Sequence, residues 1–148
     1  MTPYRVTDPE TLEAVLALVR AEFAYMDGVI DPPSSMYRLT LQDLSAGEVW
    51  AIGTPPEACV ILTPQEDSLY IGKLAVAERA RGKGHARALI TAAAERARTL
   101  GLPWLELKTR IELVDNQQTF QRLGFTEVAR TAHSGYDRPT SITYRRTP

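Results

Sequence analysis

Cysteine is nearly absent from this chain. Cys59 is the single one in 148 residues, which excludes an intrachain disulfide framework. Only two histidines occur, His85 and His133, far apart and without metal-ligand spacing, so no metal site is expected. Long apolar runs are missing as well. The longest, such as Cys59-Val60-Ile61-Leu62, fall far short of the ~20 residues a bilayer-spanning helix needs, so no membrane partner is expected. An excess of one charge is also lacking: 17 Lys+Arg oppose 18 Asp+Glu, for a formal net charge of −1. Without a basic domain or stripe no nucleic-acid partner is expected, and any bound anion must be held locally. Met1-Thr2-Pro3-Tyr4-Arg5-Val6 carries no apolar segment of the secretory kind, which makes the cytoplasm the default compartment. Cys59, set in an apolar run, reads as a small core residue rather than a nucleophile.

What is present is enough for a core. Hydrophobic residues make up 44% of the chain, and a unit of this size buries roughly 68–70% of its unfolded surface. No repeat, low-complexity tract or Gly/Ser linker divides it, so one domain over residues 1–148 is expected. A short strand at 4–7 precedes a helix over 10–25, capped by Asp8-Pro9, in which Leu12, Val15, Leu16, Val19 and Phe23 share one face. Residues 27–35, with Gly28 and the pair Pro32-Pro33, form a loop that could serve as a lid. A short helix at 41–45 and strands at 48–52, 58–63 and 69–77 follow. The clearest periodicity spans 84–100, where Ala86, Leu89, Ile90, Ala93, Ala97 and Leu100 line one side of a helix. Gly101 and Pro103 end it. A strand at 104–109, a helix at 115–123 and strands at 125–131 and 141–145 complete an α/β chain with a mixed sheet.

The decisive segment runs from the apolar strand residues Leu74-Ala75-Val76-Ala77 through a basic, glycine-containing turn into that periodic helix. The first turn of a helix presents unpaired N–H groups and a partial positive charge, and glycines let backbone approach an anion. Arg81 and Lys83 add full charges, which together describe a phosphate seat. The same residues also fit a plain turn with a solvated charge run. Two familiar phosphate motifs are excluded: Lys83 precedes Gly84 instead of leading to Ser or Thr, and Arg87 stands at the close-packing third position of a dinucleotide fingerprint.

Arg81-Gly82-Lys83-Gly84-His85-Ala86 resembles the Q/R-x-x-G-x-G/A loop of the GNAT acetyltransferase superfamily. A second matching element, Asn116 followed by helix and Leu123-Gly124-Phe125, lies in the expected order. The resemblance implies a mixed, mainly antiparallel central sheet flanked by about four helices, and acetyl-CoA as co-substrate without a metal. It assigns the coenzyme to backbone groups of Leu74 and Val76, to the loop residues Arg81, Gly82, Lys83, Gly84, His85 and Ala86, and to Asn116 and Phe120. It implies transfer of an acetyl group to a primary amine of a small molecule or peptide, without a covalent enzyme intermediate. A homodimer is an allowed assembly.

The chain departs from the family pattern at two positions that matter to proton transfer. Phe120 stands where many members have a thiolate-protonating Tyr, and Tyr70 where some have a Glu base. Candidates for the acid and base are therefore Tyr70, Glu112, His133 and Tyr136. Each also has a plain structural reading, as packed ring, solvated carboxylate or loop residue. The resemblance puts the lid at the acceptor cleft, where Asp27, Ser34, Ser35 and Tyr37 become candidate acceptor contacts, and Asp27 with Asp31 would suit a cationic amine. Besides an acetyltransferase, a catalytically silent acyl-CoA-binding module and a nucleotide-phosphate binder fit these residues.

Overall fold

The β3 run Cys59-Val60-Ile61-Leu62 is buried on both faces, and the rest of the molecule is arranged around that fact. The computed structural model describes the backbone of residues 1–148 and every side chain except that of Tyr37. The elements are β1 (Tyr4–Val6), α1 (Pro9–Phe23), α2 (Leu41–Ser45), β2 (Glu48–Ile52), β3 (Ala58–Pro64), β4 (Ser68–Val76), α3 (His85–Leu100), β5 (Trp104–Arg110), α4 (Val114–Arg122), β6 (Thr126–Thr131) and β7 (Ser141–Arg146). Short 3₁₀ turns lie at Ala24–Met26, Met36–Arg38 and Glu78–Ala80. The strands form one sheet in the order β1-β2-β3-β4-β5-β7-β6. Every pair is antiparallel except β4 with β5.

Alternation along β3 sends Val60 and Leu62 to one core and Cys59 and Ile61 to another. The first core packs the sheet against α3 through Leu89, Ile90, Ala93, Ala94 and Ala97. Burying Leu89 and Ile90 stabilises the fold by about 1.5–3 kcal/mol each. The second core packs the opposite face against α1 and α2 through Val15, Leu18, Val19 and Leu44. Cys59 lies fully inside it, and burial pushes its thiol up to about 12, so it stays a protonated packing residue.

Local chemistry fixes the helix ends. Asp8 Oδ2 accepts from Thr11 N at 2.9 Å with Pro9 inside the first turn of α1. Thr40 and Asp43 form a capping box that starts α2. The α4 helix starts one residue earlier than its pattern predicts. Leu113 is its N-cap and has no capping side chain, and Asn116 lies inside the first turn. Among the described residues, no helix is long and apolar enough to cross a membrane. No cluster of three or more His, Cys, Asp or Glu there could hold a metal ion.

Candidate active site

Two features of the fold open a cleft on the α1 side of α3. The first is the start of α3 itself. Gly82 and Gly84 have φ of 83° and 81°, a left-handed conformation that favours glycine, and a Cβ on either would meet nothing within 4 Å. The first bond of α3 runs from Ala88 N to Gly84 O at 3.0 Å. The amides of His85, Ala86 and Arg87 therefore have no acceptor within the helix, and no side chain caps them. They border a cavity of about 870 Å³ whose wall also includes Arg81, Gly82, Leu74, Val76, Asn116 and Phe120. Uncapped amides, an open glycine backbone and a guanidinium fit a diphosphate.

Carboxylates hold this seat in place. Glu22, near the end of α1, accepts from Glu78 N at 3.0 Å and from Arg81 Nη2 at 3.2 Å. Glu57, in the β2–β3 turn, lies 2.6 Å from His85 Nε2 and 3.5 Å from Lys83 Nζ. The His85 bond, helped by the Lys83 charge, holds the Glu57 carboxyl below its ordinary range. The His85 ring is thus an anchor for the loop, with only its amide left among the first-turn donors. Lys83 leans on Glu57 and does not line the cavity.

The second feature is a wedge in the sheet. The parallel pairing of β4 with β5 ends at Tyr70 and Glu106. Toward β3, β4 bulges so that Lys73 and Leu74 together oppose Val60. Lys73, at φ 52°, is the only non-glycine residue with positive φ among those described. Beyond Tyr70, β4 and β5 diverge, and the edge of Gly72–Val76 facing β5 has no strand partner. A second cavity of about 350 Å³ fills this opening. Phe23, Leu74, Asn116 and Phe120 line both cavities, so the two meet there.

Of the residues singled out in the sequence, Tyr70, His133, Ser34 and Ser35 line the second cavity. Leu74, Val76, Arg81, Gly82, Gly84, His85, Ala86, Asn116 and Phe120 line the first. Burial, with Glu106 second, pushes the Tyr70 hydroxyl up, so it is protonated at neutral pH. The His133 imidazole is bonded through Nδ1 to Thr140 Oγ1. Burial and the Arg110 charge lower its pKa, Glu112 opposing, so the ring is neutral at pH 7. Phe120 packs its ring against Phe125 and Tyr144, with centroids 6.3 and 6.4 Å away.

Other candidates lie outside the cavities. Tyr136 donates to Asp31 Oδ1 at 2.6 Å, which pushes its hydroxyl up, and Arg138 Nη2 donates to Asp31 Oδ2 at 3.1 Å. Glu112 Oε2 accepts from Asp31 N at 3.0 Å, while its Oε1 is buried without a partner. The Tyr136 and Arg138 bonds strap the 27–35 loop to the 132–140 loop, and the Glu112 bond ties it to the segment after β5. Asp27 is exposed and lines neither cavity, and the Asp31 carboxylate is occupied by Tyr136 and Arg138. The pair of acids expected to receive a cationic amine is therefore absent from the cleft wall. The Tyr37 side chain lies outside the described residues.

Residues the sequence reading did not single out contribute as much. Glu22 and Glu57 reach the loop from 59 and 28 positions away, and no local pattern announces them. Lys108 and Arg110 had a readable signal, since they follow Glu106 with the period of two that places residues on one face of a strand.

Comparison with known proteins agrees with this fold. Residues 20–125 match the family model described as the acetyltransferase (GNAT) family. An Ard1 from Thermoplasma volcanium superposes with a TM-score of 0.74 at 16% identity, covering 99% of this chain and 98% of that one. A GNAT family acetyltransferase from Elizabethkingia anophelis with acetyl-CoA bound gives 0.68 at 17% identity, covering 99% and 97%. The ribosomal-protein-S18-alanine N-acetyltransferase from Escherichia coli gives 0.68 at 18%, covering 99% and 92%. No curated protein matches the chain in sequence. The solved structures are related in fold, and the family match spans most of the chain: this protein belongs to the GNAT acetyltransferase family.

Proposed function

We propose that this chain, acting as one domain over residues 1–148, transfers an acetyl group from acetyl-CoA to a primary amine of a small molecule or peptide, both reactants being bound together. The observation that carries the proposal is the meeting of the two cavities at Phe23, Leu74, Asn116 and Phe120. One reaches the uncapped amides of α3, and the other fills the β4–β5 wedge. Acetyl-CoA supplies the acetyl group as a thioester, the C–N bond to the amine forming as the C–S bond breaks, to leave an acetylated amine and the CoA thiol. Arg81 and the amides of residues 85–87 hold the diphosphate, and the unpaired edge of β4 near Leu74 and Val76 orients the arm that follows.

Proton movement falls to the two candidates in the wedge. His133, neutral at pH 7 with Nδ1 tied to Thr140, receives the amine proton at Nε2, directly or through water. Tyr70, protonated by its buried setting, donates to the departing sulfur. Phe120 has no proton to give, and that observation favours a second reading, a silent acyl-CoA-binding module. Isothermal calorimetry with acetyl-CoA and with ATP, beside thiol release over an amine panel, tests both. Preference for acetyl-CoA with turnover supports the transferase, binding without turnover on any amine supports the module, and preference for ATP removes both.

A further inference from the structure

The charge of the acceptor cavity is one-sided. Lys73, Lys108, Arg110 and His133 line it, and no Asp or Glu does among the described residues. The nearby carboxylates lie outside its lining. Asp31 faces Tyr136 and Arg138, and Glu106 accepts from Arg145 Nε at 2.9 Å. Glu112 accepts from the Asp31 amide through Oε2, and although its Oε1 is buried without a partner, the residue does not line the cavity. Lys108 and Arg110 leave the same face of β5, and that face looks onto the 27–35 loop, because Arg110 Nη1 donates to Pro32 O at 2.7 Å. No carboxylate lies within ion-pair distance of the Lys108 ammonium among the described residues. Across the wedge stand Ser34 and Ser35, hydroxyl donors on the loop side.

Building on the acetyltransferase reading, we infer that the acceptor is an amine carrying an anionic group, a carboxylate or a phosphate, held by Lys108 with Arg110 and the Ser34–Ser35 hydroxyls. A cavity with low-dielectric walls and cations of one sign concentrates anions and repels a second ammonium. It therefore selects against diamines and polyamines while favouring zwitterionic amines. The same field favours the unprotonated acceptor nitrogen, which is the form that attacks a thioester. After burial, Arg110 and then Lys108 disfavour a proton on His133, with Glu112 acting in the opposite sense between them.

The test measures thiol release by the full chain with acetyl-CoA and matched amines: β-alanine against β-alaninamide, O-phosphoethanolamine against ethanolamine, and putrescine as the dication. The anionic member of at least one pair should have a kcat/KM tenfold or more above its neutral partner, the pair that responds telling carboxylate from phosphate. Putrescine should be the poorest substrate. In Lys108→Glu the ratio should fall to one or below, mainly through KM, with acetyl-CoA affinity by calorimetry reporting an intact fold. Equal use of both members of each pair, or preference for putrescine, overturns the inference. Failure of acetyl-CoA to bind instead overturns the transferase reading. In that case, or if no amine turns over, NMR titration of the same pairs into the chain decides: tighter binding of an anionic member, lost in Lys108→Glu, upholds the inference, and indifference refutes it.

Discussion

Replacing Gly84 by alanine separates the two services this residue performs. Gly84 caps α3 at φ 81°, and a Cβ there meets no protein atom within 4 Å. The folded chain loses only conformational preference, about 1–2 kcal/mol for an L-residue held in the left-handed region. With an unfolding entropy of about 2.1 cal/mol/K per residue, that loss lowers Tm by about 3–6 °C for a chain of 148 residues. The new methyl group also stands at the wall of the larger cavity, beside the amides of residues 85–87. A phosphate oxygen must come within about 2.9 Å of an amide nitrogen to accept its hydrogen. Displacing it from one such charge-assisted bond costs about 1.5–3 kcal/mol, which is about 10–150-fold in Kd. Calorimetry with acetyl-CoA at 25 °C, paired with a scanning melt, reads both effects. A Tm that falls as calculated while Kd stays within twofold of the parent would refute the amide seat.

Arg81→Ala should weaken acetyl-CoA about 10–100-fold by calorimetry, through loss of a charge-assisted contact, and change Tm little, because the Arg81 side chain is more than half exposed and Glu22 keeps its bond from Glu78 N. The His133 imidazole should titrate below its ordinary value of about 6.5 by NMR, since burial and Arg110 disfavour its charged form. As pH falls, the unfolded chain therefore takes up this proton first, and folding stability is lost through the interval between the unfolded and folded pKa values. The fall in urea midpoint between about pH 7 and pH 5 should accordingly be smaller in His133→Asn than in the parent, and an equal fall would contradict the assignment. Glu48→Ala breaks a two-pronged pair with Arg96, whose bonds hold the Glu48 carboxyl below its ordinary range. Its melt at neutral pH should drop by the equivalent of about 1–3 kcal/mol, and the difference should vanish as pH falls through the folded pKa of Glu48.

The sequence already displays what lies close together along the chain. The apolar spacing of α3 and the turn from Arg81 to Ala86 are local patterns, and both appear where the spacing puts them. Strands β2 and β3 are legible for the same reason, from short apolar runs between turns. The α4 boundary is less legible because its N-cap, Leu113, offers no side-chain signal. What escapes is whatever depends on partners distant in sequence. Tyr136 meets Asp31 across 105 positions, and that one bond takes a carboxylate that local chemistry would assign to an amine. The bulge at Lys73 is hidden too, since a lysine in the middle of an apolar strand gives no warning of a positive φ. Local reading therefore reaches the turn that opens α3 more readily than the walls of the β4–β5 wedge.

The gap between β4 and β5 has a mechanical corollary. No ladder bonds cross it beyond Tyr70 and Glu106, so its width can change without breaking any backbone bond between these two strands. On the β5 side, Arg110 ties the strand to the 27–35 loop through Pro32 O. Substitutions at exposed lip positions such as Ser35 or Lys108 could thus retune what the chamber admits while the scaffold around it stays intact.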